Sequence, residues 1–591
     1  MKKKIDFMDT SFRDGFQSYF GARVLTEDFI PAIQAAVDAG INHFEAGGGA
    51  RFQSLFMYCG ESAFDMMDKF RETVGPDAKL QTLARGISVV ALNAQPRDMI
   101  DLHAKLFKKH GMTNVRNFDA LNDVQNLEYS GQAIHNAGLK HQVSVTLMEL
   151  PAGLTGSHDP EFYIATLKKI LDSGLPFDSI AFKDSTGTAN PNKVFETVKG
   201  ARKLVGDDIK LWIHSHDTAG VGITQYKAAV EGGIDGLCLA RSPVSGGTSQ
   251  PDLIAMWHAL KGTDYSLDID PKKILEANAI FKEALSDYFF PPEALGISPE
   301  VIFSPMPGGA LTANTMMMRD TGTLDLYPKV IDAMGECVAK GGYGTSVTPV
   351  SQFYFQQAYA NVTQGPWKKI TDGYGRMVLG YFGKTPVNPD PEVVKIAAEQ
   401  MQLEPFSGNP LDILEPGIPA AKEILIKEGL ETTDENIFIV GALATEGGNK
   451  GLDFLKGNYS VNVRKISTEP APRTPTKTAS GSSSGVYTVT VDGKSYEVGV
   501  QEGTGSVQSI QPKSAAPASE GQIDVQSQVP GNVYNILVSP GDEVSEGDVL
   551  IILEAMKMET PVAAPASGTV ESIHVEKGEV VESGQVLCTL S

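Results

Sequence analysis

From its start to about residue 300 the chain alternates short apolar runs with longer stretches of helical periodicity, eight times over. The runs fall at 5–9, 41–46, 79–84, 113–118, 141–147, 179–183, 210–214 and 234–240. Between them lie stretches such as 26–39 and 192–205, with apolar residues three and four apart. Eight strand–helix units in about 250 residues predict a closed (β/α)8 TIM barrel. An open doubly wound sheet would show a Gly-rich first turn, and the sequence has none.

The whole chain, 591 residues, is too long for one core. Beyond the barrel (1–300) the pattern predicts a mainly helical domain over 301–463. Composition then turns to Ser, Thr, Pro, Gly and Ala, the signature of a flexible linker over 464–521. A short hairpin interrupts it, 486–491 and 495–500, turned by Asp492-Gly493. The last domain, 522–591, repeats itself: Gly531, Gly541 and Gly547 recur 37 residues on as Gly568, Gly578 and Gly584. Two copies of a four-strand motif predict an all-β flattened barrel with pseudo-twofold symmetry. Lys557 sits midway between the copies, on a hairpin tip. The architecture expected is therefore multidomain α/β.

A net charge of −22 argues against a nucleic-acid partner, which needs clustered Lys and Arg. The four cysteines form no CxxC, which suits a reducing compartment. The basic start, Met1-Lys2-Lys3-Lys4, is too short and too soon acidic for a signal peptide. No run of about 18 apolar residues is present. A cytoplasmic protein is expected, peripheral to the inner membrane only through partner subunits.

Polar motifs stand where the barrel strands end: Arg13-Asp14 and Gln17 after the first, Arg85 after the third, Lys183 on the sixth, His214 and His216 on the seventh, Thr248 after the eighth. Two histidines one residue apart on a strand point the same way, here inward. With a carboxylate from Asp14 they suit a divalent transition metal, zinc, manganese or cobalt. Histidines of the core or of a cap are the alternative reading.

The tail motif EAMKME around Lys557 resembles biotin carboxyl carrier domains; lipoyl domains usually lack the flanking methionines. The barrel motifs DTSFRDGFQS, RNFDALND, FKDSTG, HSHDTAG and GGTSQP resemble the carboxyltransferase domain of pyruvate carboxylases and the α subunit of oxaloacetate decarboxylase. The likeness continues through PMPGG at 305–309 and TPVSQF at 348–353. It implies biotin bound covalently to Lys557 by a biotin protein ligase. It implies metal ligands Asp14, His214 and His216, with Lys183 as a fourth ligand after carbamylation, since an ammonium has only donors. Arg13, Gln17 and Arg85 would hold a small 2-oxo acid. Thr248 would move a proton between biotin and the substrate methyl carbon, with Arg13 and Lys183 also catalytic.

The implied reaction is carboxyl transfer between carboxybiotin and pyruvate or oxaloacetate. The chain has no room for an ATP-grasp biotin carboxylase, so a partner is expected. That partner is a biotin carboxylase subunit, or the membrane β and γ subunits of a sodium-pumping decarboxylase. Another 2-oxo acid, or a biotin carrier with an inactive barrel, are further alternatives. A homo-oligomer is expected from the family's habit. The sequence departs from the pattern at four places: Gly47 to Gln53, where a Trp-Gly-Gly-Ala-Thr-Phe-Asp run is usual; Phe16 for a histidine; Leu92 for a tyrosine; and Arg241 on a stretch normally uncharged.

Overall fold

The computed structural model describes residues 2–445, 448–466, 485–491, 494–500, 523–527, 531–555, 558–581 and 584–591. The chain forms two compact units, Met1–Lys465 and Ile466–Ser591.

In the first unit the eight apolar runs are eight parallel strands. They are β1 (Lys3–Asp9), β2 (His43–Glu45), β3 (Lys79–Ala84), β4 (Asn114–Asn117), β5 (Lys140–Thr146), β6 (Ser179–Asp184), β7 (Lys210–Ser215) and β8 (Gly236–Leu239). Each pairs with the next, and β1 pairs with both β2 and β8, which closes the barrel. Parallel strands covered by helices are buried on both faces, so they read as continuous apolar runs rather than alternating ones. A ninth strand, Tyr265–Leu267, adds to the outer end of β1. Two of the strand–helix units share one device. Arg71, near the end of helix Ala63–Val74, donates to the carbonyls of Gly75 and Gly111. Arg202, near the end of helix Pro191–Val205, donates likewise to Gly206 and Gly233. Each guanidinium neutralises helix-end carbonyls that would otherwise lack partners.

After the barrel the chain is helical, with Gly308–Asp320, Tyr327–Lys340, Val350–Gln364, Pro391–Met401 and Asp434–Ala442 among its helices. The last returns to the barrel, where Phe438 packs against Phe52 and His103. Barrel and helical region are thus one compact unit. No helix among the described residues is long and apolar enough to cross a membrane.

Away from the barrel mouth, burial lowers His43 and His103 to about 3, and His141 and His158 to about 4. The unfolded chain binds these protons near pH 6.5. Stability is therefore full above that pH and falls as pH drops toward 4, by up to about 1.4 kcal/mol per pH unit for each histidine. His103 packs tilted against Phe107 at 4.2 Å, and its Nε2 has no hydrogen-bond partner among the described residues. The His103→Phe variant is expected to melt less steeply with acidification than the parent. Scanning Tm from pH 7 to 4 checks this, and an unchanged slope contradicts it.

In the second unit strands Gly485–Val491 and Lys494–Val500 form the expected antiparallel hairpin; its Asp492-Gly493 turn lies outside the described residues. Downstream come two four-stranded antiparallel sheets. One orders Ile523–Gln526, Val586–Leu590, Gly568–Ile573 and Glu543–Val544; the other Met558–Ala563, Val549–Ala555, Gly531–Ile536 and Val580–Val581. A shift of 37 residues carries the strands of either sheet onto the other, as the repeated glycines require. The expected closed barrel is not formed among the described residues, because each sheet ends in a two-residue strand that pairs on one side only. Val533, Leu553, Leu587 and Leu590 are buried in the core of this region. Lys557 belongs between Val549–Ala555 and Met558–Ala563, outside the described residues.

Candidate active site

The end of β1 leads into a π-helical turn, Ser11–Gly15, which sets Arg13 and Asp14 side by side over the barrel. Such turns are rare and recur at functional positions. Asp14 Oδ2 lies 3.0 Å from Arg13 Nη2, 3.1 Å from His214 Nε2 and 3.5 Å from His216 Nε2. The two imidazoles, one on β7 and one just past its end, are 5.3 Å apart. Burial opposes the charge of Asp14, but Arg13 and the imidazoles hold it well below the usual carboxylate range. Burial, and then the nearby Lys183, push His214 well down, so its ring is neutral.

These groups fit a divalent cation. His216 Nδ1 lies 2.7 Å from the carbonyl of Thr248, which only accepts, so the proton sits on Nδ1 and the Nε2 lone pair faces Asp14. Gln250 Nε2 lies 3.1 Å from that nitrogen. Nδ1 of His214 is buried without a hydrogen-bond partner among the described residues, and Nε2 has only the 3.1 Å approach of the Asp14 carboxylate. A buried imidazole left so is costly unless something else ligates it. Asp14, His214 and His216 offer ligand atoms mutually within 4.8 Å.

Lys183, on β6, is in register with His214 on β7. It is buried, and its amine has no hydrogen bond or ion pair among the described residues; Phe118 lies beneath it at 5.4 Å. Burial, with Arg13 and Arg116 nearby, pushes it down to about 8. The adjacent Asp184 is no partner: it accepts from the backbone of Thr186, Gly187 and Ala189 and so orders the next loop.

A small cavity, about 30 Å³, opens beside Asp14, His216 and Lys183. Arg13, Gln17 and Arg85 line it, with Leu83, Phe118, Pro307 and Val347 as its apolar wall. Arg13 is committed: it bonds Glu45 at 2.6 Å and Gln17 at 3.1 Å. Arg85 gives Nη1 to the carbonyls of Val90 and Ala91 and has no acidic partner among the described residues. Burial and then Arg13 push it down to about 9. The loop that holds it is strained, with Val89 at φ 43°, ψ −102°, a conformation a β-branched residue adopts only under constraint. The roof comes from the helical region. Gly308 must be glycine, because a Cβ there would stand 1.8 Å from the carbonyl of Thr248.

Thr248 is fully buried, donates its hydroxyl to the carbonyl of Ser18 at 2.8 Å, and is not among the residues that line the cavity. Thr348 is, and its hydroxyl makes no hydrogen bond among the described residues. Sequence reasoning also missed Glu45, although an acid at the end of an apolar run was a usable signal. The departures from the family pattern mostly lie behind the cavity. Arg51 is buried over the rings of Phe16 and Phe29, at 5.6 and 5.3 Å. So two replaced positions, 16 and 51, touch each other. Arg241 pairs with Asp9 at 2.7 Å. Leu92 does not line the cavity, and Gly49 does.

With this geometry in view, the likenesses are specific. Residues 4–279 match the HMGL-like family, 301–500 the conserved carboxylase domain, and 523–590 the biotin-requiring enzyme family. The chain is 30% identical to a pyruvate carboxylase subunit from Methanocaldococcus jannaschii over 94% of each protein. The chain belongs to the biotin-dependent carboxyltransferases of the pyruvate carboxylase and oxaloacetate decarboxylase family. This carboxyltransferase carries a C-terminal biotinyl domain and performs carboxyl transfer as part of a pyruvate-carboxylase-like biotin enzyme. It is also 27% identical to the large subunit of 2-oxoglutarate carboxylase from Hydrogenobacter thermophilus, over 95% of this chain and 91% of that one. Its fold matches the carboxyl transferase domain of Rhizobium etli pyruvate carboxylase with 3-hydroxypyruvate, with TM-score 0.69, 25% identity and 78% of each chain covered.

Proposed function

We propose that the chain is the carboxyltransferase and biotin-carrier subunit of a two-subunit pyruvate carboxylase. It would exchange a carboxyl group between carboxybiotin and pyruvate or oxaloacetate. The observation that carries this is the convergence of Arg85, Lys183 and Thr348 on one cavity beside Asp14, His214 and His216. The domains proposed are a barrel (1–300), a helical domain (301–463), a linker (464–521) and a carrier (522–591) of two antiparallel sheets. Biotin would be attached at Lys557 and would bring CO₂ to the cavity.

The residues divide the work as follows. Asp14, His214 and His216 would hold a divalent cation, which supplies polarisation of the keto oxygen. Lys183 completes the set once its neutral amine adds to CO₂, loses a proton and becomes a carbamate; an amine near 8 is neutral often enough to do so. Arg85 offers its remaining N–H groups to the substrate carboxylate, a match its planar fork suits. Arg13, fixed by Glu45, opposes the negative charge that grows on the enolate. The Thr348 hydroxyl both accepts and donates, so it passes a proton between substrate methyl carbon and biotin nitrogen. The apolar wall excludes water and strengthens each of these interactions.

The cavity favours pyruvate over 2-oxoglutarate. A second carboxylate needs its own cation, and the cations lining the cavity are Arg13, Arg85 and Lys183, each with a task assigned. The required partners are then a biotin carboxylase subunit and a biotin protein ligase. Purified from cells with that ligase, the chain is expected to be avidin-reactive. It should catalyse avidin-sensitive exchange of label between oxaloacetate and pyruvate. Biotinylated protein with no exchange on any 2-oxo acid would leave only a carrier. Exchange on oxaloacetate without carboxylation when a biotin carboxylase subunit and ATP are added would point instead to the oxaloacetate decarboxylase α subunit.

A further inference from the structure

We propose that the buried Arg241–Asp9 pair is a positioning device that sets the π-helical turn carrying Arg13 and Asp14. The inference rests on the metal site proposed above. Both side chains are wholly buried. Asp9 ends β1, and its backbone pairs with Leu239 at the end of β8, two residues before Arg241. One carboxylate oxygen of Asp9 takes Arg241 Nε at 2.7 Å. The other takes both the N–H and the hydroxyl of Ser11, at 3.0 and 2.5 Å. Arg241 closes the ring by donating its own N–H to the Ser11 hydroxyl at 2.8 Å. Ser11 is the first residue of the turn. Farther out, Arg241 Nη1 bonds Asn278 of helix Pro271–Ala284 at 3.1 Å, and its guanidinium lies over the rings of Phe12 and Phe281, 5.4 and 5.3 Å from their centres. On the turn's other side Gly15 rests on Val244, where a Cβ would come within 2.9 Å.

The turn is therefore clamped at its first and last residues by one short segment, 241–244. Such a turn has poor intrinsic hydrogen bonding and keeps its shape only if its surroundings impose it. Stability alone gives no reason for the ion pair, since apolar replacements of a buried pair are often neutral or better. Geometry does give one. Asp14 must stand within reach of both imidazoles, and its turn hangs on the segment after β8, beside the strand that bears them.

The test compares stability with metal binding in the full-length, metal-stripped protein. The Asp9→Asn/Arg241→Met double variant removes both charges together. It is expected to keep its Tm within a few degrees and to bind Mn²⁺ about 10- to 100-fold more weakly, as loss of a ligand's support does. Parental Mn²⁺ affinity in a double variant of unchanged Tm overturns the proposal. Should that variant not fold, Arg241→Lys decides. It keeps the charge but not the fork that spans Asp9 and Asn278, so about tenfold weaker Mn²⁺ binding supports the device and parental affinity overturns it. If the parent binds Mn²⁺ and the variants match it, only this proposal falls. If the parent binds no divalent metal, the metal site falls and takes the proposal with it.

Discussion

His214→Ala is expected to yield a folded, biotinylated protein that retains no stoichiometric divalent metal and transfers carboxyl groups about 10³-fold more slowly. The prediction rests on an imidazole whose one close polar neighbour among the described residues is Asp14, 3.1 Å from Nε2, while Nδ1 has no hydrogen-bond partner there, so the substitution breaks little of the structural network. It leaves a small void and removes an unsatisfied polar group, two effects of opposite sign. Asp14 is a poorer probe, because it also neutralises Arg13, and its loss would leave a buried cation leaning on Glu45 alone. Elemental analysis of the purified variant, beside the exchange assay, reads both halves of the prediction. Metal retained at parental stoichiometry refutes the ligand set; metal lost with exchange intact refutes its role in transfer.

The fold was legible where local pattern and topology coincide. Strands β1 to β8 appear as apolar runs because helices bury both their faces, and eight such runs have one compact way to close. The same topology gathers strand ends at one mouth, so Asp14, Arg85, Lys183 and His216 meet although some 200 residues separate the first from the last. A strand end fixes a place and not a direction, and there the reading stopped. Thr248 stands at the correct height but turns its hydroxyl to Ser18. Thr348 comes from a helical region whose periodicity says that a face is buried without saying against what. Phe16 and Arg51 read singly as lost motif residues, and only contact in space makes them one exchange. The 37-residue repeat likewise gave the exchange of two sheets in the carrier unit, but nothing in a repeat determines whether they close.

The two threonines give the sharpest separation of site from scaffold. Thr348→Ala is expected to cut exchange between oxaloacetate and pyruvate by roughly 10²- to 10⁴-fold, the span that a positioned proton-transfer group contributes. Metal content, biotinylation and Tm should stay at parental values, because the Thr348 hydroxyl bonds nothing among the described residues. Thr348→Ser, which keeps the hydroxyl, is expected to recover most of the rate. Thr248→Ala should behave in the opposite way. Its hydroxyl holds the carbonyl of Ser18, in the short helix Phe16–Phe20 that follows Arg13 and Asp14. Losing that bond costs about 1 kcal/mol of stability, more if the Ser18 carbonyl is left unpaired. Thr312 also donates to the Ser18 carbonyl, which limits that loss. The Thr248→Ala protein should melt a few degrees lower and exchange label within several-fold of the parent, since the group removed does not face the cavity and a small shift of the turn moves rates far less than loss of a proton relay. A folded Thr248→Ala protein without exchange, beside an active Thr348→Ala protein, would return the proton to Thr248. It would also mean that the short helix bearing Ser18 shifts away from Thr248 when substrate enters.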